Sequence, residues 1–399
     1  MQLSAALSRI RPSATVAIAG LALELRAQGR DVLGLAAGEP DFDTPEHIRE
    51  AAIRAIREGR TRYTPVDGTP DLKAAIRAKF ARENGVDYAL DQISVGTGGK
   101  QVLYNALMAT LNAGDEVIVP APYWVSYPDI VRLAGATPVM LPCPMAQGFR
   151  PDPAALEAAI TGRTRWLILN SPANPTGAVL SADDLGALAR VLERHPQVWV
   201  LSDDIYEHLV FDGHRFATLA QVAPGLRDRI LTLNGVSKGH CMTGWRIGYA
   251  GGPAPLIAAM RKLQSQSTSN PCSVSQAAAC AALEGPADFI ARNNAAYLRR
   301  RDLAVAGLGA CAGVTCPTPM GAFYAFPSVE GCLGRRSAGG AEIGDDAAFC
   351  AALLEEEGVA LVPGAAFGAP GHVRLSFAAA DDVLARALRR IARFCAGLR

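Results

Sequence analysis

Lys238 stands in SKGHCMTGWRIG (237–248), among small residues rather than in the charged company of a surface lysine, and Arg246 follows it eight positions later. An amine held in apolar surroundings gives up its proton more readily, and the free base is a nucleophile toward carbonyls. Arg246 offers a rigid fork of donors suited to phosphate, a geometry that lysine does not reproduce. Asp203 ends the apolar run VWVLSD, with Tyr206 three residues on. A carboxylate there costs desolvation unless it meets a cation. The structural alternative is a helix N-cap, a role Asp204 is placed to fill. Asn174, in SPANPTG after the run RWLILN, sits in a proline-stiffened loop. Such a loop either aims a side chain at a ligand or forms an ordinary Pro/Gly turn. After DQISVG, Gly98 and Gly99 open a helical pattern. Free N–H groups and the positive end of the helix dipole make a helix start a phosphate site, although glycines before helices are common. Together these are an aldehyde-capturing amine, an aspartate for a cationic ring nitrogen, hydroxyl and amide donors and two phosphate anchors. Pyridoxal phosphate requires that inventory.

The elements that must position these residues alternate along the chain. β-rich runs occur at EVIVP (116–120), TPVML (137–141), RWLILN (165–170), VWVLSD (198–203), ILTLNG (230–235) and RIGYAG (246–251). Helical patterns such as KQVLYNALMATL (100–111) and SADDLGALARVLERH (181–195) lie between many of them. Strands punctuated by helices predict βαβ units and a mostly parallel sheet flanked by helices. In such sheets ligands bind beyond the carboxyl ends of the strands, where each candidate residue lies. The fold class is α/β. From Gly285-Pro286 onward a long helical segment, GAFYAF, a helix over 346–357, VALVPG, HVRLSF and a final helix predict a smaller α+β domain. The expected division is a large domain over 46–285 and a small one from 1–45 with 286–399. The stretch GCLGRRSAGGAEIGDD (331–346) reads as an exposed loop.

With 399 residues, 50% of them hydrophobic, the chain can bury a large core. A formal net charge of +1 with 19% charged residues gives no electrostatic footprint for nucleic acid or an anionic membrane, so a small molecule is the expected partner. No apolar run approaches the roughly 18 residues of a membrane span, and the first 20 residues lack a signal peptide's apolar core. Nine cysteines without a CxxC pair, and six histidines without ligand spacing, argue against a disulfide framework or a metal site. A reducing cytoplasm is the expected compartment.

The motifs in order resemble the fold-type I pyridoxal-phosphate aminotransferases, in the class I branch typified by bacterial aspartate aminotransferases. They are GEPDFDTP (38–45), YTPVDG (63–68), GGKQ (98–101), APYWVSYP (121–128), SPANPTG (171–177), SDDIYEHL (202–209), SKGHCMTGWRIGY (237–249) and VRLSF (373–377), and they span essentially the whole chain. The resemblance implies the aspartate aminotransferase-like fold and a ping-pong transfer of an amino group between an L-amino acid, aspartate or glutamate foremost, and a 2-oxo acid. It implies that Lys238 forms the internal Schiff base and then shuttles a proton, and that Asp203 pairs with the pyridine nitrogen. Asn174 and Tyr206 would hydrogen-bond the ring 3′-oxygen, and Trp124 would stack on the ring. Arg246, Gly98, Gly99, Lys100 and Ser237 would hold the phosphate, with Tyr63 reaching it from the neighbouring subunit of a homodimer with shared active sites. Arg374 would grip the substrate α-carboxylate, and Gly38, Trp124 and Asn174 would line the same pocket.

The chain departs from that pattern at Gly239, His240 and Cys241, where relatives tend to have alanine and an aromatic. It departs again at Ala277 in place of a tryptophan and at Arg11 in place of a lysine. Each bears on substrate identity rather than on the cofactor. Other outcomes on the same cofactor are transamination of prephenate (or arogenate), aromatic or neutral substrates, and elimination, cyclisation, decarboxylation or oxidation. A ligand-binding regulator built on this fold would need a lost lysine or an attached DNA-binding segment. For a distal substrate carboxylate, Arg11, Lys100 and Ser267 are the candidate partners.

Overall fold

The computed structural model describes Met1 and residues 3–399. The strands are β1 (Leu33–Gly34), β2 (Ile93–Gly96), β3 (Glu116–Ala121), β4 (Thr137–Pro142), β5 (Thr164–Asn170), β6 (Trp199–Asp203), β7 (Ile230–Gly235), β8 (Gly248–Gly251), β9 (Tyr324–Ala325), β10 (Val359–Ala360), β11 (Val362–Pro363) and β12 (Val373–Ser376). Seven form one sheet in the order β2-β8-β7-β6-β5-β3-β4. All its neighbours pair parallel except those of β8, which runs against both β2 and β7. The strands in the middle of this sheet are buried on both faces, which is why they read as continuous apolar runs instead of alternating ones.

One core cluster packs helices Pro70–Asn84, Ala182–Glu193 and Ser273–Glu284 on one face of the sheet, around Leu72, Ile76, Leu188 and Ala279. Another packs Gly99–Thr110 and Ala254–Ser265 on the other, around Val102, Leu107, Ile257 and Met260. A third core surrounds the short strands after residue 309, with Phe323, Phe349, Leu375 and Leu388. There β12 lies between β11 and β9, and β1 from the N-terminal segment pairs parallel with β10. The helices Asp288–Gly309 and Asp381–Ala396 pack on each other beside these strands.

Three details differ from the sequence expectation. The RIGYAG strand begins only at Gly248, because Arg246 sits at φ +56 and turns the chain before the strand starts. VALVPG is two short strands with different partners rather than one. The 331–346 stretch is partly buried: Cys332 and Ile343 are in the core and the Ser337 hydroxyl bonds Glu356, so two apolar side chains pin an otherwise glycine-rich loop. No helix among the described residues is long and apolar enough to cross a membrane.

Candidate active site

Beyond the carboxyl ends of β5, β6 and β7 lies a cavity of about 380 Å³. Gly38, Gly99, Lys100, Trp124, Asn174, Asp203, Tyr206, Ser237, Lys238, Arg246 and Arg374 all line it, as read from the sequence. Gly98 stands just behind the wall, and its φ of +84 suits glycine. A Cβ at Gly98 would run into the Arg246 guanidinium, and one at Gly248 would run into the Gly98–Gly99 backbone. Glycine at 98 and at 248 therefore lets the start of helix Gly99–Thr110 seat flush on β8 with Arg246 beside it. Tyr63 is 93% exposed and lies outside this cavity.

Lys238 donates to the Gly38 carbonyl at 2.6 Å. Burial pulls its ammonium down to about 8; Glu39 opposes the fall, and the positive charges of Arg374 and Arg246 reinforce it. Asp203 is 6% exposed at the end of β6, and burial pushes its carboxyl up to about 6. The Tyr127 hydroxyl, donating to its Oδ2 at 2.5 Å, works against that rise. The helix-cap alternative for Asp204 is not met: residues 205–208 form a turn and not a helix, and the Asp204 carboxylate accepts instead from the Ser202 hydroxyl at 2.7 Å.

Arg374 is 2% exposed, and burial lowers the basicity of its guanidinium. Among the described residues no carboxylate pairs with it, and its Nε has no partner. Its other nitrogens donate to Asn174 Oδ1 at 2.9 Å and to the Ala36 carbonyl at 2.5 Å. Asn170, one end of β5, ties the loop down by donating to the Asp203 carbonyl and accepting from the Asn174 N–H. Lys100 places its ammonium 4.8 Å from the centre of the Trp124 ring, and burial together with Arg246 lowers its basicity. Neither Arg11 nor Ser267 lines the cavity.

Two loops of this site share a buried anchor. The Glu207 carboxylate, next to Tyr206, receives the Lys79 ammonium and the side-chain amides of Asn84 and Asn234, each amide at 2.7 Å. Asn234 lies at the end of β7, four residues before Lys238, and its amide oxygen accepts the Gly235 N–H.

The chain from residue 30 to residue 391 matches the family model for aminotransferase class I and II. It belongs to that family. This aminotransferase is 63% identical over 396 residues to the aspartate/prephenate aminotransferase of Cereibacter sphaeroides, covering 99% of each chain. The crystal structure of the aspartate aminotransferase from Rhizobium meliloti superposes with a TM-score of 0.97 at 53% identity, covering 100% of both chains. That of the Thermus thermophilus aspartate aminotransferase with maleate gives 0.92 at 46%, covering 99% of this chain and 100% of the other.

The residues present fit pyridoxal phosphate, the cofactor characteristic of this family. A buried amine of lowered basicity, a buried carboxylate and a helix start flanked by Arg246 face one cavity of a size to hold it. The sequence reading missed Tyr127, Asn170 and Tyr324, which also line the cavity. Tyr127 was within reach, since it belongs to the APYWVSYP motif in which only Trp124 was singled out. The departures at 239–241 are packing features. A Cβ at Gly239 would meet His208 Nδ1 at 2.7 Å. His240 is buried against Phe289 and His208, and burial takes it down to about 3, leaving it neutral. Burial raises the Cys241 thiol to about 12, so it is not a nucleophile. Ala277 does not line the cavity.

Proposed function

We propose that this aminotransferase uses pyridoxal phosphate to move an amino group between an L-amino acid, aspartate or glutamate foremost, and a 2-oxo acid in a ping-pong reaction. The observation that carries the reading is Lys238: a single buried amine, brought down to about 8, in a cavity that also holds Asp203 and an unpaired buried Arg374. The bound cofactor supplies an electron sink that lets the bond to the substrate's α-hydrogen break. Lys238 Nζ offers the free base to capture the cofactor's aldehyde. At pH 7 about a tenth of such amines are unprotonated, against about one in three thousand for an ordinary lysine. The same nitrogen then takes the α-proton and returns it. Asp203 would hold the proton on the ring nitrogen, its own carboxyl ionised beside that positive charge. Asn174 and Tyr206 donate to the ring oxygen. The Gly98–Gly99–Lys100 helix start, Ser237 and Arg246 hold the phosphate. Arg374 grips the α-carboxylate beside Gly38 and Trp124, held by Asn174.

Dicarboxylic substrates are supported by the cations in the cavity. Lys100 has no carboxylate partner there and can meet a second carboxylate or the phosphate. A relative solved with maleate, a dicarboxylate, supports the same choice. A second reading is favoured by the Cereibacter sphaeroides relative, whose name pairs aspartate with prephenate, itself a 2-oxo acid with a second carboxylate. We further propose a homodimer in which the exposed Tyr63 enters the partner's cavity, a cytoplasmic setting, and the division into a large domain over 46–285 and a small one from 1–45 and 286–399. The β1–β10 pairing supports that division by tying the N-terminal segment to the C-terminal part.

The test is half-transamination. The loaded enzyme is mixed with single amino acids, and its visible spectrum and keto-acid yield are followed. Aspartate and glutamate should convert the spectrum with one keto acid per site. If neither does, the dicarboxylate assignment fails; if no amino acid does, the transaminase reading fails with it.

A further inference from the structure

Tyr324, in β9, is 1% exposed and lines the cavity beside Lys238. It touches three residues with a proposed role. Its hydroxyl lies 2.7 Å from the Tyr206 hydroxyl. Its ring lies under the Arg374 guanidinium, 4.6 Å from centroid to carbon. The same hydroxyl fills the space that a side chain at Gly38 would need, and the Gly38 carbonyl accepts from Lys238.

A phenol carries one proton, so only one of the two hydroxyls donates across the 2.7 Å bond. If Tyr206 spends its proton on a ligand oxygen, it must accept from Tyr324. The buried pair then forms a chain in which Tyr324 donates to Tyr206 and Tyr206 donates to the ligand. In a low-dielectric setting each bond of such a chain polarises the next. Resting on the reading that the cavity holds pyridoxal phosphate with its ring oxygen on Tyr206, we propose that Tyr324 is a positioning residue that fixes Tyr206 as a donor to that oxygen. The contact also crosses between the two sheets, because Tyr206 follows β6 of the seven-stranded sheet and Tyr324 lies in the three-stranded one.

A donor to the ring oxygen favours the deprotonated form of the bound cofactor, which carries more negative charge on that oxygen. Weakening the donor therefore moves the pH midpoint of the visible absorbance upward. The experiment compares loaded wild type, Tyr324→Phe, Tyr206→Phe and the double variant by pH titration of that absorbance without substrate. Tyr324→Phe should raise the midpoint by roughly 0.3–1 pH unit, less than Tyr206→Phe does. The double variant should match Tyr206→Phe within about 0.2 unit, since one residue acts through the other. The KM for the amino donor should change less than about twofold in Tyr324→Phe, because the ring beneath Arg374 is retained. An unmoved midpoint, or shifts that simply add in the double variant, would overturn the proposal. A wild-type protein that takes up no visible chromophore would instead overturn the cofactor reading on which it rests.

Discussion

The Asn174 amide oxygen accepts from Arg374 Nη1 at 2.9 Å, so the loop after β5 of the seven-stranded sheet holds a guanidinium from the three-stranded one. Asn174 is fixed in turn by Asn170. Arg374 thus waits in a set plane, buried and without a carboxylate partner among the described residues. A planar fork held this way suits an incoming carboxylate, and an ammonium would not present the same two donors.

Arg374→Lys should therefore lower kcat/KM for amino acids by roughly 10- to 150-fold, the worth of one or two charge-assisted hydrogen bonds. Steady-state kinetics with aspartate check this. Cofactor binding, measured by absorbance, should stay within about threefold of wild type.

The lowered basicity of Lys238 sets a pH dependence. Its amine becomes the free base as pH rises through about 8, so stopped-flow capture of added cofactor by the ligand-free protein should accelerate up to that pH and level off above it. The unfolded chain holds the lysine proton to about 10.4. The folded state therefore binds fewer protons between these values, and ligand-free stability should rise with pH from 8 toward 10. Lys238→Ala should form no covalent link to the cofactor at any pH and should lose the pH-dependent gain in denaturation midpoint.

Gly98→Ala places a methyl against the Arg246 guanidinium at a backbone angle that alanine rarely adopts. The helix start and Arg246 should then part. Equilibrium dialysis should show cofactor affinity weakened by roughly 5- to 150-fold, matching a strain of about 1–3 kcal/mol for a backbone that is essentially glycine-only.

Lys79 and Glu207 form a buried ion pair behind the site. Glu207→Gln leaves the buried Lys79 ammonium with Glu83, at 3.6 Å, as its remaining carboxylate and should cost about 3 kcal/mol of stability, the low end for a broken buried pair. Lys79→Met combined with Glu207→Leu should recover most of that loss, although Asn84 and Asn234 lose an acceptor. Urea denaturation of wild type and the two variants decides it, and a double variant no more stable than Glu207→Gln would be the contrary result.

The sheet was readable because strands buried on both faces must be apolar along their length, and the chain writes them that way between helical patterns. Lys238, Asp203 and Asn174 were readable because polar residues directly after such strands stand out. Tyr324 was not: an aromatic inside GAFYAF looks like core, and only the fold brings its hydroxyl to Tyr206. The Lys238 bond to the Gly38 carbonyl was equally hidden, since it joins positions 200 residues apart through a backbone atom that no sequence pattern marks. The 331–346 loop misled because glycine and charge dominate its composition while Cys332 and Ile343 do the anchoring.

The antiparallel β8 has one more effect. Gly235 and Gly248 face each other across β7 and β8, so the connection from Lys238 to Arg246 is closed at its base. Amine and guanidinium therefore hang from a single clasp rather than from two independently packed elements. The connection works as a ruler for the length of ligand that can touch both ends. Arg374 comes from β12 of the three-stranded sheet and lies outside that clasp, so the spacing between Lys238 and Arg246 is set apart from the strand that carries Arg374.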